Sequence, residues 1–107
     1  MTTRDFYNLV KIMNTDEEEI MIGKGKEYTI GSDDKLANFK RVAERTGLTV
    51  LQVWGVYFLK HADSICSYVK EGKVFSNEPI EGRISDARNY LAILRAIIEE
   101  MKLVSKV

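Results

Sequence analysis

The segment from Thr49 to Val69 constrains the fold of this chain most strongly, because it combines helical length with an almost continuous apolar surface. Its first half is apolar around most of the helix circumference, whereas a helix on a protein surface carries its apolar side chains on one face. We therefore expect a long central helix that is covered by other helices or by a second subunit.

The N-terminal part of the sequence predicts two helices, from the spacing of its apolar residues and from residues that typically begin or end a helix. Apolar side chains at helical spacing indicate an amphipathic helix that begins near Thr3 and ends at Asn14. Thr15 and Glu18 have the spacing of a capping box and predict the start of a second, short helix. A glycine-rich loop is expected to follow over residues 23–31, since glycine clusters usually mark turns.

The later part of the chain has equally clear signals. Ser32 is predicted to cap a helix that Gly47 ends, and Thr49 to cap the central helix, which Gly72 ends. Pro79, the only proline, suits the first turn of a last long helix. The apolar side chains of that helix recur at alternating steps of three and four residues, namely Ile84, Ala87, Leu91, Leu94, Ile98 and Met101.

Length and composition narrow the class of protein. We predict an all-α fold, a compact bundle of four to five helices in a single domain over residues 1–107. Cys66 is the only cysteine, which excludes an internal disulfide and fits a reducing cytoplasm. The longest apolar run, residues 53–59, is far shorter than the about 20 residues that cross a bilayer, and no leader is recognised. Sixteen Lys and Arg balance sixteen Asp and Glu, so a charged ligand needs a local cluster.

One short pattern resembles a DNA-binding helix–turn–helix. Ala43, Gly47 and Val53 have its spacing. The recognition positions, however, would offer base edges only one donor, the indole N–H of Trp54. A neutral chain also lacks the surplus of cations that binds phosphates. We therefore predict a helix–turn–helix corner that does not bind DNA.

The signals for catalysis are incomplete. All-α nucleotide pyrophosphatases hold Mg²⁺ with two pairs of acids, each pair on one helix face. Asp16 and Glu19 have that spacing, but Arg83 stands where an acid should precede Asp86. His61 is the only histidine and has no positioned partner in the sequence. We predict no catalytic residue, no metal ligand and no cofactor, with Mg²⁺ required only if the chain is an enzyme.

Two groups of polar residues could bind a phosphorylated ligand. Lys24 and Lys26 alternate with glycines, an arrangement that can present backbone N–H groups and charge to an anion, although a plain loop would look the same. Lys60, Asp63 and Ser64 share a face of the central helix. If the last two helices pack antiparallel, that face meets a face of the last helix that carries Arg83, Asp86, Asn89 and Tyr90.

This second group has two interpretations. It could form a cleft, with cations for phosphate, Asp and Asn for base or ribose edges, and Tyr90 or Trp54 for stacking. Alternatively it could be a structural ion-pair network between the two helices, Lys60 with Asp86 and Arg83 with Asp63, because paired charges also occur where there is no function.

Four segments carry a resemblance to a known family, namely residues 24–29, 32–40, 53–63 and 78–90. In these segments the chain resembles small phage and prophage proteins of the nucleotide-modification-associated helical domain family. The resemblance implies a phage origin and a connection to nucleotides, and Arg88 departs from the family pattern. The ligand-binding residues that it implies are Lys24, Lys26, Tyr28, Asn38, Lys60, Asp63, Arg83, Asp86 and Asn89.

On the basis of this resemblance we predict a phage-encoded protein of the host cytoplasm that binds a nucleotide or nucleotide-derived signalling molecule without needing to transform it, by analogy with anti-defence sponges. One alternative is a metal-dependent enzyme of nucleotide or DNA-base modification. Another is a protein-interaction module that inhibits a host defence protein. We also expect a homo-oligomer, because Trp54, Tyr57 and Phe58 add more apolar surface than one short bundle readily covers.

Overall fold

The computed structural model describes residues 1–28 and 32–105, which contain α-helices and no β-strand. The all-α prediction is confirmed, including the long apolar central helix. The chain divides into a first unit, Met1–Lys35, and a second unit, Leu36–Val107, and the prediction of one domain over residues 1–107 stays a prediction. The helices are α1 (Thr3–Tyr28), α2 (Ala37–Thr46), α3 (Val50–Glu71) and α4 (Ile80–Ser105).

The first unit contains α1, a continuous helix of 26 residues. The predicted break at Asn14 and the predicted helix start at Thr15 are therefore wrong. The Thr15 hydroxyl donates a hydrogen bond to the Lys11 carbonyl at 3.1 Å, four residues back, so it bonds within the helix and does not cap a new one. An Asn or Thr inside a helix lowers its stability by only roughly 0.5 kcal/mol relative to better helix formers. The hydrogen bonds of the neighbouring turns are therefore sufficient to continue the helix past Asn14 and Thr15.

The predicted glycine-rich loop is also wrong where it overlaps α1. The helix continues from Gly23 to Tyr28, while residues 29–31 of the predicted loop lie outside the described residues. A glycine inside a helix costs about 1 kcal/mol relative to alanine, which weakens a helix without necessarily ending it. Because helical N–H groups point along the axis to carbonyls of the preceding turn, the backbone of residues 23–28 is not a loop-type anion cradle.

The corner between α2 and α3 follows the sequence signals closely. Gly47 has a φ of 75° and donates its N–H to the Ala43 carbonyl at 2.9 Å, which ends α2. Thr49 and Gln52 form a reciprocal capping box, with hydrogen bonds of 3.1 and 2.9 Å between side chains and backbone N–H groups. The predicted turn and helix start are both confirmed.

The start of α2 differs from the prediction. The helix begins at Ala37, and its N-cap residue, Leu36, provides no side-chain hydrogen bond. Ser32 instead accepts a hydrogen bond from the Asp34 N–H at 3.1 Å, which closes a local turn. Leu36 is buried, so packing rather than capping places the start of this helix.

The C-terminal end of α3 and the start of α4 lie where the sequence predicts them. Gly72 has a φ of 72° and donates its N–H to the Tyr68 carbonyl at 2.7 Å, as a left-handed C-cap does. Pro79 directly precedes α4, and its carbonyl accepts a hydrogen bond from the Gly82 N–H at 3.1 Å. Proline is favoured here because its missing N–H would have no helical partner.

In the second unit α3 packs against α2 and, in antiparallel orientation, against α4. The antiparallel orientation is evident because Ser64 bonds to Arg83, whereas Trp54, further back along α3, bonds to Tyr90, further along α4. Val53 is the most deeply buried side chain among the described residues. The buried apolar cluster consists of Leu36, Phe39, Val53, Ile93 and Ile97.

Two glycines in this unit should respond to alanine in opposite directions. Gly55 lies inside α3 with open space around its Cα, so Gly55→Ala should raise the free energy of unfolding by about 0.5–1 kcal/mol. Gly72 requires a positive φ, so Gly72→Ala should lower it by about 1–2 kcal/mol. Chemical denaturation of both variants measures these two changes in the free energy of unfolding. A loss of stability in Gly55→Ala would contradict the helical conformation of Gly55.

Candidate binding site

Arg83 connects α4 to α3 and to the segment between them. Its Nη1 donates a hydrogen bond to the Ser64 carbonyl at 3.0 Å, and its Nη2 donates one to the Ser76 hydroxyl at 3.1 Å. The side chain is half-buried, and its Nε is buried without a hydrogen-bond partner among the described residues. The guanidinium is thus engaged with backbone and hydroxyl oxygens, and not with Asp63 as the ion-pair interpretation requires.

Removing this connection should loosen the segment between α3 and α4. We expect Arg83→Ala to lower the free energy of unfolding by about 2 kcal/mol, since hydrogen bonds from a charged donor contribute about 1.5–3 kcal/mol. Limited trypsin digestion should then cut faster after Lys73. The matched control is Arg95→Ala, where an exposed arginine pairs with Glu99, and it should change stability by no more than about 0.5 kcal/mol. Equal losses in the two variants would contradict a structural role for Arg83.

The aromatic side chains near this position are engaged in packing. The Trp54 indole donates a hydrogen bond to the Tyr90 carbonyl at 2.7 Å, and its ring stacks on Phe58 with centroids 4.7 Å apart. The centroid of the Tyr90 ring lies 4.5 Å from that of the His61 ring. It lies 6.2 Å from that of the Phe39 ring, which it meets edge-on. A base that stacked on Trp54 or Tyr90 would have to compete with these contacts.

The same hydrogen bond bears on DNA binding. Trp54 carries the one donor that the recognition positions of the helix–turn–helix pattern could offer to a base edge. That donor is used inside the second unit, on the Tyr90 carbonyl. The absence of DNA binding stays a prediction, now with a structural reason for the missing donor.

The other predicted ligand-binding residues whose side chains are described lie on α2, α3 and α4. Asn38 lies on α2, where its side-chain oxygen accepts a hydrogen bond from Arg41 at 3.0 Å. Lys60 and Asp63 are exposed on α3. Asp86 and Asn89 are half-buried on α4, and the side chains of Lys24, Lys26 and Tyr28 lie outside the described part. The structure brings together Ser64 with Arg83 and Trp54 with Tyr90.

A row of exposed apolar side chains on α4 was not recognised as a site from the sequence. The predicted seam divides into two faces, because Ala87 is buried whereas Ile84, three residues before it, and Leu91, four residues after it, are exposed. Ile84, Leu91 and Ile98 recur every seven residues and are 37–50% exposed, as is Met101. We call Ile84, Leu91, Ile98 and Met101 the α4 ladder. The alternating three-and-four spacing was the signal that could have identified it.

The α4 ladder leads into a shallow groove at one end of the second unit. The groove has a volume of about 530 Å³ and lies between the first turn of α3 and the last turns of α4. Its lining is Leu51, Ile98, Met101, Lys102 and Ser105. An apolar groove of this kind accepts an apolar side chain from another molecule.

Basic side chains follow one edge of the α4 ladder. Arg88, Arg95 and Lys102 also recur every seven residues, so they form a second row beside the apolar one. Glu99 accepts hydrogen bonds from Arg95 at 2.7 Å and from Lys102 at 3.2 Å. These bonds, that from Arg95 first, hold the pKa of the Glu99 carboxyl below its usual range. Glu81 stands seven residues before Arg88 in the same row, so this edge carries three cations and two carboxylates, a formal charge of +1.

No protein-family model matches this chain, and comparisons with curated proteins and with solved structures also find no match. The resemblance to the phage family therefore stays a prediction. Within residues 1–28 and 32–105, no group of three or more His, Cys, Asp and Glu side chains could hold a metal ion. Among the helices that the structure describes, none has both the length and the apolar character needed to cross a membrane.

Proposed function

We propose that this chain is a helical protein-interaction module, which binds another polypeptide through the α4 ladder. The observation that carries the proposal is the alignment of Ile84, Leu91 and Ile98, each more than one third exposed, along one face of a long helix. Single exposed apolar residues are ordinary on protein surfaces, but a row of them along one helix face that ends in a groove is typical of an interface.

A partner helix would use the seven-residue spacing of the ladder. Side chains at matching spacing on the partner would insert between Leu91 and its neighbours, as knobs do into holes. Burying the exposed half of a Leu or Ile side chain contributes about 1 kcal/mol, so the four ladder residues contribute about 4 kcal/mol before the costs of association. Filling the groove beside Leu51 adds further apolar contact.

The nucleotide-binding function, the enzyme alternative, the phage origin and the cytoplasmic location stay predictions. A nucleotide in the predicted cleft would have to compete with the hydrogen bonds of Arg83 to Ser64 and Ser76. Calorimetry of the purified chain against nucleotides and cyclic nucleotides, with and without Mg²⁺, separates binding from conversion and both from a purely protein-directed function.

Site-specific photocrosslinking tests the interaction directly. Leu91 is replaced by a photoreactive phenylalanine analogue, and the matched control carries the same group at Ala96, an exposed residue on another face of α4. Irradiation in the cells that naturally produce the chain should give one discrete polypeptide adduct from position 91 and none from position 96. Adding Ile98→Glu to the chain should remove that adduct. Adducts that are absent or equal at the two positions would contradict the proposal.

A further inference from the structure

The neutral chain is electrically polarised between its two units. The first unit, Met1–Lys35, contains eight Asp and Glu against five Lys and Arg, a formal charge of −3. The second unit, Leu36–Val107, contains eight Asp and Glu against eleven Lys and Arg, a formal charge of +3. The neutral chain therefore consists of two oppositely charged parts, and such parts attract each other between copies.

Helix α1 carries an exposed face that combines apolar and acidic side chains. Leu9, Ile12 and Ile20 are exposed large apolar residues. Asp16 and Glu19, also exposed, fall on the same side of the helix because they follow at helical spacing. We call Leu9, Ile12, Asp16, Glu19 and Ile20 the α1 acidic face. Its chemistry complements the α4 ladder, where apolar side chains lie beside a basic row.

We propose that the α4 ladder of one copy binds the α1 acidic face of a second copy. The inference rests on the proposed function and names its partner as the chain itself. The two helices match in length, since α1 and α4 both have 26 residues and so are each about 39 Å long. Apolar side chains supply the affinity, while Asp16 and Glu19 against Arg95 and Lys102 select the pairing.

Charge also disfavours the simplest alternative, in which two α4 helices pair through their ladders. In an antiparallel pair of that kind the row of Arg88, Arg95 and Lys102 would face its own copy, and like charges across a helix seam are destabilising. Pairing of α1 with α4 avoids this repulsion. If each copy provides both helices to the other, the contact closes into a symmetric dimer, whereas a one-way contact propagates into longer chains.

Sedimentation velocity of the full-length chain over a range of concentrations measures the association. We expect a species heavier than the monomer that dissociates on dilution and that weakens at least about threefold between low and high salt, because exposed charge pairs are screened. Leu91→Glu should weaken association at least about tenfold with an unchanged melting temperature, because it places a charge in the apolar seam. Ala96→Glu, outside the ladder, is the matched control and should associate as the parent does.

Charge reversal identifies the partner surface. The pair Asp16→Lys/Glu19→Lys and the pair Arg95→Glu/Lys102→Glu should each weaken self-association at least about tenfold. An equimolar mixture of the two variants should regain it, because every contact in the mixed complex again joins opposite charges. A folded chain that sediments as a monomer at all concentrations, or a mixture that does not recover, would overturn the inference. A position-91 crosslink to a different polypeptide would then leave the proposed function standing, whereas no adduct at all would remove both.

Discussion

Replacing Phe39 with alanine is expected to lower the free energy of unfolding of the second unit by about 3–5 kcal/mol. Phe39 is only 5% exposed and lies in the buried cluster with Val53 and Ile97. Its ring meets Tyr57 and Tyr90 edge-on, at centroid distances of 6.1 and 6.2 Å. Truncation leaves a cavity that these rings cannot fill without moving, so the loss exceeds the transfer free energy of the side chain alone.

The matched control is Phe75→Ala, because Phe75 is 70% exposed in the segment between α3 and α4. That substitution removes the same atoms from a position with little packing, so it should change stability by no more than about 0.5 kcal/mol. Urea denaturation followed by the fluorescence of Trp54, the only tryptophan, measures both variants. Comparable losses in the two variants would mean that Phe39 is not part of the core.

The parts of the fold that follow from local chemistry could be predicted from the sequence. Gly47 and Gly72 adopt positive φ angles that favour glycine, and Thr49 with Gln52 forms a capping box that depends on residues three positions apart. Each of these signals acts within one turn of backbone. For that reason the predictions of both ends of α3 and of the corner before it agree with the structure.

The N-terminal half shows where local signals are insufficient. Thr15 has capping-box spacing to Glu18, yet its hydroxyl bonds back to Lys11 and the helix continues. Gly23 is compatible with a turn or a helix, and the helical alternative is the one observed. A cap residue and a mid-helix residue of the same type differ by about 1 kcal/mol, which neighbouring turns can supply.

The candidate site was harder to predict because it depends on which face of α4 is covered. The alternating spacing from Ile84 to Met101 correctly indicates an apolar helix, but spacing alone does not say which of two adjacent faces packs inside. Tyr90, Ile93 and Ile97 take the inner positions, and Leu91 and Ile98 remain exposed. Likewise, the 36-residue separation between Trp54 and Tyr90 leaves no sequence pattern for their hydrogen bond.

Placing an aspartate at Val53 is expected to unfold the second unit at physiological temperature. Val53 is 1% exposed, the most buried side chain in the described residues, and it packs in the cluster that joins α2, α3 and α4. A buried carboxylate without a partner costs about 4 kcal/mol or more, which is comparable to the total stability of many small domains. Far-ultraviolet circular dichroism of Val53→Asp should therefore show a large loss of helix at 37 °C.

Val56→Asp provides the control on the same helix. Val56 is 54% exposed, so the same substitution three residues away leaves its charge in water and should cost no more than about 0.5 kcal/mol. A folded Val53→Asp variant would contradict the packing of α3 between α2 and α4. Because α3 supports α4, Val53→Asp should also abolish association through the α4 ladder, whereas Leu91→Glu should weaken association at least about tenfold and leave the helix content unchanged. The helix content therefore distinguishes a residue that the fold requires, such as Val53, from a residue that contacts the partner, such as Leu91.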